Sequence, residues 1–220
     1  MTVLEAQEWE NNSDLISAVF DIHVWPKPWA QGPDGPQVMD VTYGRGLWWQ
    51  WIAGRGHEFT SHDIRHDGVD FRHLPEADQS MDVIAFDPDY VAIGGRATST
   101  ITEFNDRYGL TVKDYETPRA LQATINEGVT ECARVLRPQG ILLVKCATYI
   151  SSGKPWLGEF HTIGHGLRCD LVVEDIFVHI SGTGPQPARP DSRQQHARSN
   201  SSRLIVFRKP GRRRKINATA

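Results

Sequence analysis

Residues 81–90 read MDVIAFDPDY, and this stretch decides the fold. Met81–Phe86 is a short, continuous apolar run, which predicts a strand buried on both faces, and the Asp-Pro step that follows ends it. Working outward, residues 119–136 place Leu121, Ile125, Val129, Cys132, Ala133 and Leu136 at helical spacing, with Pro138-Gln139-Gly140 as the stop. ILLVKC (141–146) is a second buried strand, 157–167 a helix, 171–180 a strand and 203–208 a last strand. Upstream, 37–41 is a short strand running into the turn YGRG, LWWQWIA (47–53) reads as a helix, 58–62 as a strand and 68–71 as a further short one. Apolar strands alternating with helices predict an α/β fold, a mostly parallel sheet with helices on both faces. The Pro/Gly cluster at 26–36 sets off an N-terminal segment, 1–36, expected to pack on a domain spanning 37–210; 211–220 is a basic tail, expected to be disordered.

A chain of 220 residues, 39% apolar and 23% charged, suffices for one such domain with a full core. No apolar run approaches the ~20 residues that cross a bilayer, and the first residues, MTVLEAQEWE, are acidic, so a cytoplasmic protein with no membrane partner is expected. Cys132, Cys146 and Cys169 lack paired spacing and read as free thiols. The formal net charge of −3 conceals an asymmetry: residues 186–215 carry ten basic side chains and one acid, +9, which leaves −12 for the rest. Such a strip attracts a polyanion locally, because each neutralised phosphate releases counterions.

In a sheet of this kind ligands sit beyond the carboxyl ends of the strands. Three strand ends carry suggestive residues. Asp40-Val-Thr-Tyr43-Gly44-Arg-Gly46 sets two glycines one residue apart, so the backbone turns sharply and approaches a ligand without Cβ interference. Position 49 is Trp49 where the dinucleotide fingerprint needs a third glycine, which argues against NAD. Asp63, at the end of the second strand, sits where a carboxylate accepts ribose hydroxyls. Asp87-Pro88-Asp89-Tyr90 suits an exocyclic amine, whose lone pair is delocalised into its ring. A carboxylate from Asp87 and the carbonyl of Pro88 would accept both N–H hydrogens and turn the lone pair toward a methyl donor, while Tyr90 offers an aromatic face to an extruded base.

Taken in order, DVTYGRG, SHDI, VDFRHLP, MDVIAFDPDY, ECARVLRPQGILLVKC and RLIVFRKP resemble the amino-methylating DNA methyltransferases, most closely the small ones of phages and actinobacteria. The resemblance covers roughly residues 38–210 and implies a Rossmann-like, S-adenosylmethionine-dependent methyltransferase fold. It implies cofactor binding by Asp40, Tyr43, Gly44, Gly46, Asp63 and Asp70, the last reaching the cofactor's adenine. It further implies catalysis by Asp87, Pro88 and Tyr90, a nucleic-acid partner (DNA before RNA), and no metal. Asp89 departs from the family's Asp-Pro-Pro-Tyr and adds a carboxylate that raises its neighbour's pKa or favours a cationic sulfonium. No Pro-Cys pair is present, which argues against thiolate chemistry at cytosine C5. An RNA or small-molecule acceptor, or a catalytically silent nucleic-acid-binding relative, are the rival expectations.

Weaker signals read as ordinary structure. His62/His66 and His161/His165 have helical pair spacing without further ligands. Trp48, Trp49 and Trp51 read as core, with one of them lining the cofactor pocket; Lys145 reads as an anchor for a phosphate or a nearby carboxylate. Residues 94–100, GGRATST, suit a lid over the acceptor pocket.

Overall fold

The computed structural model describes residues 9, 11–52, 57–92, 116–180, 196 and 201–211. The lid expected at 94–100, most of the basic strip and the tail beyond Gly211 lie outside them. A helix α1 (Asn12–Val19) is capped by the Asn11 side chain, which accepts from Ser13 N at 2.8 Å, and runs on as a wider turn through Val24. The strands are β1 (Gln37–Asp40), β2 (Glu58–Ser61), β3 (Met81–Phe86) and β4 (Leu136–Cys146), then a hairpin of β5 (Thr148–Ser151) with β6 (Lys154–Leu157), and finally β7 (Val172–Ile180) and β8 (Ser201–Arg208). Helices α2 (Pro118–Val135) and α3 (Gly158–Arg168) complete the set.

Six strands form one sheet in the order β2-β1-β3-β4-β8-β7. β1 to β4 are mutually parallel; β8 runs against both of its neighbours, so β7 points with the majority and β8 alone is reversed. Alternation along the strands builds two cores. Met39, Ile84, Phe86, Leu142 and Val144 face α2 and α3, whereas Val38, Val83, Ala85, Ile141 and Leu143 face α1 and the tryptophans. Strands clad on both faces must be apolar on both, which explains why β3 is buried at all six positions.

Three expectations are corrected. The helix at 47–53 is only a 3₁₀ turn at Leu47–Trp49, because α1 already covers this face and Trp48, Trp49 and Ile52 all turn into its core. The strand at 68–71 does not form: Gly68 sits at φ +78° and Asp70 bonds back to Arg72 N at 2.9 Å, so a local turn wins over a ladder. Pro138-Gln139-Gly140 does not stop α2, which ends at Val135. The three lie inside β4, where Gln139 takes φ +69° and the register with β3 slips. The sequence carries no expectation of the β5–β6 hairpin, nor of a helix within the segment 1–36.

Candidate active site

At the carboxyl ends of β1 to β3 lies a cavity of about 480 Å³. The glycine turn enters it through Asp40, Tyr43, Gly44 and Arg45, the β2 end through Asp63 to His66, and the β3 end through Asp87, Pro88 and Asp89. Phe71, Leu121, Thr124 and Ile125 form an apolar wall, and Asn12 of α1 reaches in with Trp48.

The turn is held by its own acids. Asp40, 5% exposed, accepts Thr42 N at 2.8 Å on Oδ1 and the Trp49 indole at 2.6 Å on Oδ2. Burial, assisted by the charge on Asp87, outweighs those bonds and pushes the Asp40 carboxyl up to about 7. Gly44 and Gly46 take φ +52° and +66°, and a Cβ on Gly46 would stand 2.5 Å from the Tyr43 hydroxyl. Asp63 accepts Gly44 N at 2.9 Å and Arg65 N at 2.9 Å.

Behind this edge His62 bridges Asp67 at 2.6 Å and Glu76 at 2.7 Å, which draws together the two ends of the connection between β2 and β3. Burial alone would lower the imidazole's pKa, but the two carboxylates raise it above the usual histidine value.

Thr42 links the turn to the acceptor corner: its hydroxyl accepts Asp87 N at 2.7 Å and lies 3.4 Å from Asp40 Oδ1. Asp87 is raised by burial and partly restored by the Lys145 charge and a bond from the Trp48 side chain. Pro88 is buried beside it.

The structure thus brings Asp40, Tyr43, Gly44, Asp63, Asp87 and Pro88 around one hollow. Gly46 and Tyr90 are not among the lining residues; Tyr90 packs against the α2-side core. Asp70 also stands off the lining, gripped by Arg72 at 2.7–3.0 Å. Residues the sequence reading did not assign to the site include Thr42, Trp48 as a donor to Asp87, Asn12, and the apolar wall of Phe71, Leu121 and Ile125. Thr42 lay inside the quoted turn, but only the observed meeting of β1 and β3 gives its hydroxyl a partner.

Among the described residues no group of three His, Cys, Asp or Glu can hold a metal, and no helix is long and apolar enough to cross a membrane. Cys132 and Cys146 are buried free thiols and Cys169 is half-buried.

No family model matches the chain, and no curated protein matches it in sequence. Solved structures do share its fold. A protein described as a sarcosine dimethylglycine methyltransferase from Galdieria sulphuraria superposes with a TM-score of 0.53 at 13% identity, covering 90% of this chain and 85% of that one. A SAM-dependent methyltransferase from Methanosarcina mazei gives 0.51 at 12%, covering 83% and 95%. The cyclase SpnF gives 0.50 at 12%, covering 95% and 88%. The fold is therefore the Rossmann-like one of SAM-dependent methyltransferases. SpnF's name describes a cyclase, so the fold leaves the reaction to be argued from the site.

Proposed function

We propose that this chain is an S-adenosylmethionine-dependent methyltransferase whose acceptor is an exocyclic amino group of a nucleic-acid base, adenine N6 or cytosine N4, in DNA. The observation that carries it is the shared cavity onto which both the glycine turn and the Asp87-Pro88 corner open. Its volume lies within the ~300–1,000 Å³ common to small-molecule sites.

The residues fit the cofactor. The two left-handed glycines turn the chain sharply at the end of β1 and set Gly44, with no side chain, on the cavity wall, Asp63 lines the cavity where a ribose would lie, and Ile64 and Phe71 would give a purine an apolar wall. When bound, the cofactor supplies a methyl group on a cationic sulfonium. Asp87 and the Pro88 carbonyl accept the two N–H bonds of the acceptor amine and thereby free its lone pair. The proton leaves once the nitrogen carries the methyl and has become acidic, so no strong base is needed. Asp89, also on the wall, would add negative field favourable to a cationic sulfonium bound in the cavity. Asp70, Gly46 and Tyr90 act from behind the lining in this reading, Gly46 by shaping the turn and Tyr90 by backing the corner.

A free small-molecule amine is the second reading. It is favoured by Tyr90, which packs against the core where a stacked base would need it in the hollow.

Nucleoside analysis of DNA from cells expressing the wild type and Asp87→Ala tests the proposal. A new N6-methyladenine or N4-methylcytosine is expected in the first and none in the second. An unchanged product from Asp87→Ala removes the residue from this role, and methylation confined to free amines moves the acceptor to the second reading.

A further inference from the structure

The end of β4 carries a buried lysine to which the proposed reaction gives no task. Lys145 is 4% exposed; its Nζ donates to Asn12 Oδ1 at 2.7 Å and lies 5.8 Å from the centre of the Trp48 ring. β3 and β4 are parallel with Phe86 opposite Val144, so the next step of each strand brings Asp87 and Lys145 side by side. Strand alternation turns both away from the α2 face, toward α1 and Trp48. Trp48 serves both at once, its side chain bonding Asp87 and its ring lying under the ammonium.

An ammonium survives burial only opposite a counter-charge, and the same holds for a carboxylate. The groups facing this pair leave few alternatives. β1 contributes Asp40, and Asp63 and Asp89 share the cavity; all three are acids, so none of them supplies Asp87 with a counter-charge. α1 contributes neutral Asn12, and β8 sets Leu204 opposite the lysine. Arg203 lies 3.5 Å from Glu159 and is compensated there. Arg45 and Arg65 line the cavity, yet Lys145 is the charge that acts on Asp87.

Resting on the amine-acceptor reading, we propose that Lys145 is a positioning residue whose ammonium, seated between Asn12 and the Trp48 ring, keeps Asp87 in the carboxylate form that receives the acceptor's N–H. It touches no reacting atom. A cofactor in the cavity would bring its sulfonium charge to the opposite side of Asp87 from the lysine, so the carboxylate would face a cation without taking up a proton.

The test reads Asp87 directly. Carbon-13 carboxyl NMR titration, with the signal assigned by its loss in Asp87→Asn, is run on wild type, Lys145→Met and Lys145→Arg. The Asp87 midpoint is expected to rise by about one pH unit or more in Lys145→Met, a tenfold change in its proton affinity, and to stay near wild type in Lys145→Arg. The acid limb of kcat/KM for methyl transfer to unmethylated duplex DNA is expected to move upward by the same amount, so Lys145→Met regains activity at high pH. If Lys145→Met does not fold, Asn12→Ala, which removes the lysine's tether, is expected to move the midpoint in the same direction by less. An unmoved midpoint in the folded variant overturns the proposal, because a purely structural lysine would lower the rate at every pH. A midpoint that moves while Asp87→Ala methylates like wild type overturns the amine-acceptor reading instead, and leaves the Lys145–Asp87 coupling standing.

Discussion

Asp63 accepts the Gly44 amide on Oδ2 at 2.9 Å while its Oδ1 accepts the Arg65 amide at 2.9 Å. One side chain from the end of β2 therefore fixes a turn that belongs to β1, and it does so at the rim of the cavity. Two roles follow, holding the glycine turn and facing the proposed ribose, and they separate by substitution. Asp63→Asn keeps one acceptor oxygen but loses the charge and one of the two amide bonds; Asp63→Ala loses the charge and both bonds. Calorimetric titration with S-adenosylmethionine is expected to show roughly tenfold weaker binding for Asp63→Asn and a larger loss for Asp63→Ala, with the melting temperature lowered in both and further in Asp63→Ala.

The two glycines of the turn are not equivalent. Both have positive φ, but a Cβ at Gly44 would meet nothing closer than 3.8 Å, whereas at Gly46 it would stand 2.5–3.0 Å from the Tyr43 phenol. Gly46→Ala is thus strained in backbone and side chain together, and Tyr43 must leave its contact with Phe59, 5.9 Å centre to centre. A destabilisation of about 2–3 kcal/mol is expected for Gly46→Ala and about 1 kcal/mol for Gly44→Ala, measured by urea unfolding.

How much of this was legible in the residues follows from what kind of force sets each feature. β3 and the second half of β4, 141–146, were readable because strands clad on both faces must be apolar at every position, and MDVIAF and ILLVKC nearly are. The 3₁₀ turn at Leu47–Trp49 was not, since LWWQWIA has helical spacing and only the presence of α1 on that face limits it. Asp87 and the glycines announced themselves by type and place. The link between them did not: the Thr42 hydroxyl meets Asp87 N at 2.7 Å only because β1 and β3 are sheet neighbours, a fact of topology and not of local sequence. Asp70 illustrates the converse, for Arg72 two residues on captures it by a local bond that spacing to the motif did not reveal.

His62, held between Asp67 and Glu76, makes the loop after β2 sensitive to pH. Its folded pKa is raised, so its contribution to stability is fully present below the unfolded value of ~6.5 and fades as pH rises through the folded value. Asp67 has the opposite sign: the His62 and backbone bonds lower its pKa against a burial effect, and its contribution is lost only as pH falls below the ordinary carboxylate range. Unfolding free energy measured from about pH 6 to pH 9 is expected to fall for wild type and to lose that part of its slope in His62→Gln. Parallel curves for the two proteins would remove the latch.

Packing across the α2 face reaches the acceptor corner through Gly128. A Cβ there would lie 2.5 Å from Phe86 and 2.8 Å from Phe71, the first preceding Asp87 and the second lining the cavity. Gly128→Ala is favourable for the helix but overpacks the interface, and the overpacking is the larger effect at ~1–3 kcal/mol against ~1 kcal/mol of propensity. A lower melting temperature together with weaker S-adenosylmethionine binding is expected. Unchanged binding would show that the rings absorb the methyl without moving the wall.

Asp40 gives the domain a stability slope opposite to that of most acids. Its folded pKa, about 7, stands far above the ~3.9 of an unfolded aspartate, so between those values the native state binds more protons than the unfolded one. Stability must then fall as pH rises through that window, by at most ~1.4 kcal/mol for each pH unit. Asp40→Asn cannot ionise and removes this slope, although its amide nitrogen cannot accept, so one of the bonds from Thr42 N and the Trp49 indole is lost at a cost of about 1–3 kcal/mol. Urea unfolding is therefore expected to find the Asp40→Asn variant weaker than wild type at about pH 5 and to show the gap narrowing toward about pH 8. A gap that stays constant would mean Asp40 is already ionised at the acid end of that range, with the Thr42 and Trp49 donors outweighing burial.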